Sequence, residues 1–364
     1  MPLAAPLNAS VGPLTGCLIF SNLSSDIDVL TQDVGYSLDP EYKIRDISSL
    51  NHQKEALHLV STIETDLQLT LDGRGLELVP SQSRQIAPFK TQLLKWIGSK
   101  QRFAHEIVSY FPSTFRTYIE PFVGSGAVLG TLAPQNALAS DTLKPLIEIW
   151  ETLAEKPQEV KQWYLQRWES FTSGDPIQVF EKIKAAYNSN PNGADLLFLS
   201  RSCYGGVIRF RQQDGYISTP CGVHKPMHPQ SFYKRVDLWH ARIKGTIFSH
   251  RDFESAMGSA KPGDMVYCDP PYAHSQTILY GAQEFDLQRL LNAIALCKER
   301  GVYVALSIDG TKRSGQLLCK VTIPPDLFER EVIVNCGQSM LRRFQMSGET
   351  LENEVISDRL LLTY

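Results

Sequence analysis

Residues 266–274 read VYCDPPYAH, an apolar run that delivers Asp269 onto two prolines and the phenol of Tyr272. Pro270 and Pro271 fix two φ angles and remove two backbone donors, which leaves the Pro270 carbonyl as an acceptor beside the carboxylate. A carboxylate and a fixed carbonyl can accept both hydrogens of an amino group, while an aromatic ring stacks on the planar base that carries it. The set suits the exocyclic amine of a nucleobase. The plainer alternative is a Pro-rich turn with Asp269 as a capping residue.

A second stretch, YIEPFVGSGAV at 118–128, places Gly124 and Gly126 where a strand would turn into a helix. Glycines there let the backbone turn sharply and approach a ligand closely. The loop lacks the third glycine of a dinucleotide fingerprint and the GK[ST] of a phosphate loop, so its ligand need not be a phosphate. Asp141 ends the next apolar segment, NALASD, where a carboxylate suits the two hydroxyls of a ribose. Strand, glycine turn and strand-end acid together describe an adenosine pocket.

The elements that must hold these residues read as alternating strands and helices. Strands are expected at 117–121, 136–141, 245–252, 264–269 and 301–307, the last three apolar enough for full burial in a parallel sheet. EREVIVNC and DRLLLTY read as a closing antiparallel pair, and helices are expected from about 126 and at 142–155, 157–168, 176–190 and 286–300. This is an α/β pattern with a doubly wound sheet, whose ligands sit at the carboxyl ends of the strands. Glu120, Asp141, Asp252 and Asp269 all fall at such ends. Upstream, residues 1–88 are weakly periodic, with an expected helix at 47–64, a hairpin in LTLDGRGLELVP turning at Asp72-Gly73, and a linker at 80–88.

Composition bounds the rest. The chain has 364 residues, 43% apolar and 21% charged, which suits a soluble protein with a substantial core. It has no apolar run of about 18 residues for a membrane span and no basic region ahead of its first apolar patch, so neither a span nor a secretory signal is expected. The seven cysteines are scattered without a CxxC pair, which argues against structural zinc and for unpaired thiols in a cytoplasmic protein. Net charge is −3, unevenly spread. Residues 1–88 hold five Lys/Arg against eleven Asp/Glu, whereas 201–251 hold nine Lys/Arg against two acids. The second imbalance reads either as an electrostatic footprint for phosphates or as a basic solvated surface.

LKWIGSK (94–100), YIEPFVGSGAV, ALASD (137–141), LFLSRSCYGGVIRF (197–210), HRDF (250–253) and YCDPPY (267–272) occur in an order that resembles the Dam-like, α-group DNA adenine N6-methyltransferases. The likeness covers about 89–364, including the DRLLLTY ending. It implies a Rossmann-like AdoMet-methyltransferase domain at 89–364 with a target-recognition insertion at about 157–244, and leaves 1–88 as an N-terminal extension of unknown role. It implies S-adenosyl-L-methionine as cofactor, S-adenosyl-L-homocysteine as product, and no metal. Trp96, Lys100, Glu120, Phe122, Gly124, Gly126, Asp141, Asp252 and Asp269 would line the cofactor site; Asp269, Pro270 and Tyr272 would hold a target base flipped out of the duplex.

The resemblance further implies that Tyr204 wedges into the base stack and that Arg209 and Arg211 reach base edges. Lys225, Lys234, Arg235 and Arg242 would meet phosphates. Dam-type enzymes that modify GATC have Asn-Gly-Leu where this chain has Gly205-Gly206-Val207, and Asn in place of Arg211, so another short target sequence is expected. Double-stranded DNA is the expected partner, a cognate restriction endonuclease a candidate one, and a monomer the expected state. Competing readings are methylation of another exocyclic amine (cytosine N4 or an RNA base), a non-catalytic AdoMet-sensing DNA-binding module, a nicotinamide-dependent oxidoreductase and a scaffold. Asp269 and Tyr272, the missing third glycine and the strand-end acids weigh against them in turn.

Overall fold

The computed structural model describes residues 67–72, 75–80, 85–211, 213–271, 285–312, 317–318, 323–338, 345–346, 349–350 and 355–364. Within 67–80, 309–318 and 335–356 only the backbone is described. The chain divides into two compact units, at residues 1–82 and 83–364. In the first, β1 (Leu67–Asp72) and β2 (Gly75–Pro80) pair antiparallel with Asp72 opposite Gly75. Asp72 thus ends β1, and the expected turn residue Gly73 lies outside the described residues. The expected helix at 47–64 lies outside the described residues.

The second unit runs α1 (Ala104–Ser109), β3 (Tyr118–Glu120), α2 (Ala127–Leu132), β4 (Ala137–Asp141), α3 (Lys144–Glu155), α4 (Pro157–Ser173), α5 (Pro176–Ser189), α6 (Gly193–Ser202) and α7 (Pro229–Arg242). It continues through β5 (Thr246–His250), α8 (Phe253–Gly258), β6 (Met265–Cys268), α9 (Leu287–Glu299), β7 (Tyr303–Lys312), β8 (Leu317–Leu318), β9 (Arg330–Gln338), β10 (Gln345–Met346), β11 (Glu349–Thr350) and β12 (Val355–Leu362). An eight-stranded sheet has the order β5-β4-β3-β6-β7-β12-β9, with β8 added on β7. The first five neighbours are parallel, and β12 is antiparallel to both β7 and β9. From β3 the chain winds outward through β4 to β5, then returns to the other side of β3 for β6 and β7. That reversal makes a switch point between β3 and β6, where doubly wound sheets open a crevice. The expected doubly wound, Rossmann-like sheet is thus present.

Strand side chains alternate between two cores, as a pleated sheet requires. Tyr118, Met265, Tyr267, Ala305, Leu360 and Leu362 face one apolar cluster, and Ile119, Val266, Cys268, Val304, Leu306 and Leu361 face the other. The first cluster takes in α1, α3 and α6; the second takes in α8 and α9 through Met257, Leu290, Leu291 and Ile294. The helices start where their sequences say. α3, α4, α5 and α7 each carry proline in the first turn, whose missing N–H costs nothing there. Asp175, Asn192, Asp252 and Asp286 cap α5, α6, α8 and α9 by accepting from backbone N–H groups.

Four helices, α1, α6, α7 and α8, occupy stretches that the sequence reading left unassigned, and α4 runs on to Ser173. The expectation of full burial for residues 245–252 is corrected: β5 is the edge strand of the sheet, and Ile247 is 65% exposed. Between α6 and α7 the chain forms an antiparallel loop closed by the bridges Cys203–Cys221 and Phe210–Ile217. No helix among the described residues is long and apolar enough to cross a membrane. Among them, too, no cluster of three potential metal-ligating side chains occurs, and Cys203, Cys221, Cys268 and Cys297 are free thiols.

Candidate active site at the carboxyl ends of the strands

The cavity at the switch point is built from six segments. Its lining includes Trp96 and Lys100 from the loop before α1, Glu120 at the end of β3, and Phe122 and Gly124 from the turn into α2. Asp141 joins from the end of β4, Asp252 and Phe253 from the start of α8, Asp269 and Pro271 from beyond β6, and Phe285 from ahead of α9. The four strand-end acids expected from sequence therefore meet in one place.

The turn between β3 and α2 needs its glycines. Gly124 has φ +45° and Gly126, which caps α2, has φ +63°. A Cβ on Gly126 would come within 3.1 Å of the Trp150 ring, and one on Gly124 within 3.5 Å of the Trp96 indole. The turn is pinned from outside by the Trp150 indole N–H, which donates to the Gly124 carbonyl at 3.0 Å. Ser125 and Ser99 hydroxyls meet at 3.0 Å and tie this turn to the Trp96–Lys100 loop.

The acids differ in their surroundings. Asp141 accepts from the Gly124 N–H at 3.2 Å and the Leu143 N–H at 3.0 Å, and burial raises its pKa. Asp252 caps α8 through the Glu254 N–H at 2.8 Å, yet its side chain is 44% exposed and also lines the cavity. Glu120 is buried and accepts from the Tyr118 hydroxyl at 2.7 Å. Burial, with the Asp269 charge adding to it, pushes Glu120 up to about 8 against the pull of that hydrogen bond. Asp269 has its carboxylate 2.8 Å from the Lys100 ammonium, which also reaches Asp358 at 3.5 Å and the Gly98 carbonyl at 3.2 Å. Lys100 thus lines the cavity with its charge already committed to carboxylates.

An aromatic wall stands at the Asp252 end. Phe122 stacks on Phe253 with ring centres 5.3 Å apart, and the Phe285 ring closes edge-on at 6.0 Å from Phe122. The sequence reading found Phe122 but missed Phe253 and Phe285; the HRDF motif held the first, directly after Asp252. It also missed Asp358. Pro270 is buried beside Asp269, and Tyr272 lies outside the described residues.

The basic segment divides by use. Arg201 is buried and donates to the Leu93 carbonyl at 2.8 Å. Arg235 donates to the Gln92 carbonyl at 2.8 Å. Arg242 donates to the Gly130 and Thr131 carbonyls at the end of α2, its guanidinium 4.3 Å from the Phe89 ring centre. Arg235 and Arg242, expected at phosphates, are half-buried and spend donors on main-chain carbonyls, Arg235 on the strap at 89–93 and Arg242 at the end of α2. Arg209, Lys225 and Lys234 are exposed. At the loop tip Arg211 pairs with Asp214 and lies 5.1 Å from the Tyr216 ring centre, while Tyr204 is 46% exposed.

This chain matches the D12 class N6 adenine-specific DNA methyltransferase family over residues 96–326. It is similar to the DNA N-6-adenine-methyltransferase of Escherichia phage P1, 25% identical over 253 residues, 67% of this chain and 33% of that protein. The chain thus spans about a third of that relative's length. It is 26% identical over 241 residues to the DNA adenine methylase of Vibrio cholerae serotype O1, covering 62% of this chain and 83% of that one. The type II methyltransferase M1.LlaDCHI of Lactococcus lactis is 25% identical over 253 residues, 64% of this chain and 84% of its own. The family match takes in more than half of the sequence and every strand-end acid of the cavity, and the chain belongs to the D12 class N6 adenine-specific DNA methyltransferases.

Proposed function

We propose that this protein transfers a methyl group from S-adenosyl-L-methionine to N6 of an adenine flipped out of double-stranded DNA, within a short sequence other than GATC. The observation that carries the reading is the meeting of Asp269 with Asp141, Asp252 and the Phe122–Phe253 stack in one cavity at the sheet's switch point.

The residues present fit the cofactor. Aromatic rings beside Asp252 suit its adenine, whose amino group a carboxylate can accept. Asp141 keeps a second lone pair on each oxygen for ribose hydroxyls after serving the Gly124 and Leu143 N–H groups. Glu120 and Asp269 lie where a cationic amino-acid end needs negative charge. When bound, S-adenosyl-L-methionine supplies an electrophilic methyl group.

The chain's own contribution is to make a poor nucleophile available. The lone pair of adenine N6 is delocalised into the ring. Donating its two N–H bonds, one to the Asp269 carboxylate and one to the Pro270 carbonyl, favours a pyramidal nitrogen with an accessible lone pair. Asp269 need not be a strong base, because the N6 proton becomes acidic once the new bond to carbon forms. Its charge stabilises the positive charge that develops on nitrogen. Tyr272 would stack on the extruded base, and Tyr204, Arg209 and Arg211 at the antiparallel loop would enter the duplex. Lys225 and Lys234 would hold phosphates. A restriction-modification or phage setting, with a cognate endonuclease as partner in the first case, fits the relatives' kinds.

Tritiated S-adenosyl-L-methionine and plasmid DNA from a methylation-free host test the reading. Label in N6-methyldeoxyadenosine after digestion is the expected result. Label in N4-methyldeoxycytidine, or in RNA alone, overturns it.

A further inference from the structure

Alternation along the strands puts a row of polar groups on one face of the sheet. Glu120 follows Tyr118 by two residues on β3, and Asp269 follows Tyr267 by two beyond β6, so each acid faces the same side as its tyrosine. On β7, Ser307 faces that side as well, since its hydroxyl meets the Tyr267 hydroxyl at 2.9 Å with both side chains buried. β12 runs antiparallel beside β7, so its early residues lie next to the carboxyl end of β7. There Asp358 shares the face of Leu360 and Leu362. The β12–β7 register shifts between Ser357 and Asp358, an irregularity of the kind that re-aims a side chain. Asp358 is 7% exposed, which is rare for an aspartate without a reason.

The reason lies in the charges. Lys100, 4% exposed, has its ammonium 2.8 Å from Asp269 and 3.5 Å from Asp358. Asp269 and Lys100 alone form a neutral pair, whose field on a third charge largely cancels. Methyl transfer to an amine develops positive charge on nitrogen, and an ammonium ion in the same cavity opposes it. A second buried carboxylate within reach of Lys100 restores a net negative charge to the group. It also gives the ammonium another acceptor, so that Asp269 can turn an oxygen toward an incoming amine.

We propose that Asp358 is a positioning residue for methyl transfer, acting through Lys100 to keep the Asp269 end of the cavity net negative. The inference rests on the proposed amine methylation. Asp358 touches neither base nor cofactor in this scheme; its effect reaches the reacting nitrogen through the Lys100–Asp269 contact. Asparagine at 358 keeps the shape and an acceptor for Lys100 while removing the charge. Glutamate keeps the charge.

The test compares full-length wild type, Asp358→Asn, Asp358→Glu, Lys100→Met and the Asp358→Asn/Lys100→Met double variant. Single-turnover methylation is followed on plasmid DNA from a methylation-free host. S-adenosyl-L-methionine and DNA dissociation constants are measured alongside. Asp358→Asn is expected to slow transfer by about 10-fold to 100-fold with both dissociation constants nearly unchanged. Asp358→Glu should recover most of the rate. In the double variant, the asparagine should add no further loss to that of Lys100→Met, since its route of action is gone. Wild-type rates in Asp358→Asn, additive losses, or failure of Asp358→Asn to fold or bind cofactor would each overturn the proposal while leaving the adenine reading intact. Absence of methylation by wild type would instead sink that reading, and this inference with it.

Discussion

The backbone N–H of Gly124 donates to Oδ2 of Asp141 at 3.2 Å, so the glycine turn after β3 and the acid ending β4 are one structural unit. Oδ1 of the same carboxylate holds the Leu143 N–H at the approach to α3. Asp141 thus shapes the wall it belongs to as well as offering acceptors to a ligand. Asp141→Ala should weaken S-adenosyl-L-methionine binding by more than about tenfold, which titration calorimetry measures, because a charged acceptor lost to two hydroxyls costs about 1.5–3 kcal/mol. Asp141→Asn, which still accepts from Gly124, should lose less.

Gly126 provides a stability test at the same turn. Its φ of +63° is costly for any residue with a Cβ, and that Cβ would press on Trp150 at 3.1 Å. Gly126→Ala should destabilise the protein by at least about 1–2 kcal/mol in urea unfolding, the left-handed conformation alone accounting for that much. Cofactor affinity should fall with it, because the turn carries Gly124.

Glu120 makes stability depend on pH in a defined direction. Its carboxyl holds a proton up to about 8 in the folded protein, against about 4.5 when unfolded. Between those values the folded state binds more protons, so this group's contribution to stability is full below about 4.5 and is lost as pH rises through about 8. Glu120→Gln cannot ionise, so its melting temperature, followed without cofactor, should fall less than that of wild type across this window. A cationic ligand favours the ionised carboxylate. Binding of S-adenosyl-L-methionine near neutral pH should therefore release a proton, seen as a calorimetric enthalpy that varies with the buffer's ionisation heat. Glu120→Gln should lose that release.

The arginines of the basic segment should separate into two classes. Arg242 supplies donors to the Gly130 and Thr131 carbonyls, which the end of α2 leaves without helical partners. Arg242→Ala should cost about 1–3 kcal/mol of stability through those buried acceptors. Lys225 is exposed, and Lys225→Ala should leave stability alone but lower the salt dependence of DNA binding by about one counterion. Equal effects of the two variants on the salt slope would contradict this division.

The strand-end acids were legible because each closes an apolar run, and a doubly wound sheet brings such ends together. Gly124 and Gly126 were legible for a related reason, since a strand-to-helix turn has few other uses for two glycines. α6 was not: all ten of its residues are buried, so no polar face marks a helical period. The carbonyl partners of Arg235 and Arg242 were not legible either, because a guanidinium shows its partner only once the chain is folded. Asp358 opens DRLLLTY beside a second charge, Arg359, and only the packing of β12 beside β7 turns the acid inward. Phe253 and Phe285 lie 32 positions apart and form a wall only across the α8–α9 layer.

The most direct measurement is a modification map by single-molecule sequencing of a methylation-free bacterial genome after expression of this chain, with Asp269→Ala as its control. The account predicts N6-methyladenine in one short motif other than GATC, present with wild type and missing with the variant. A folded, cofactor-binding wild type that leaves every adenine unmodified, or a motif methylated equally by Asp269→Ala, would contradict it.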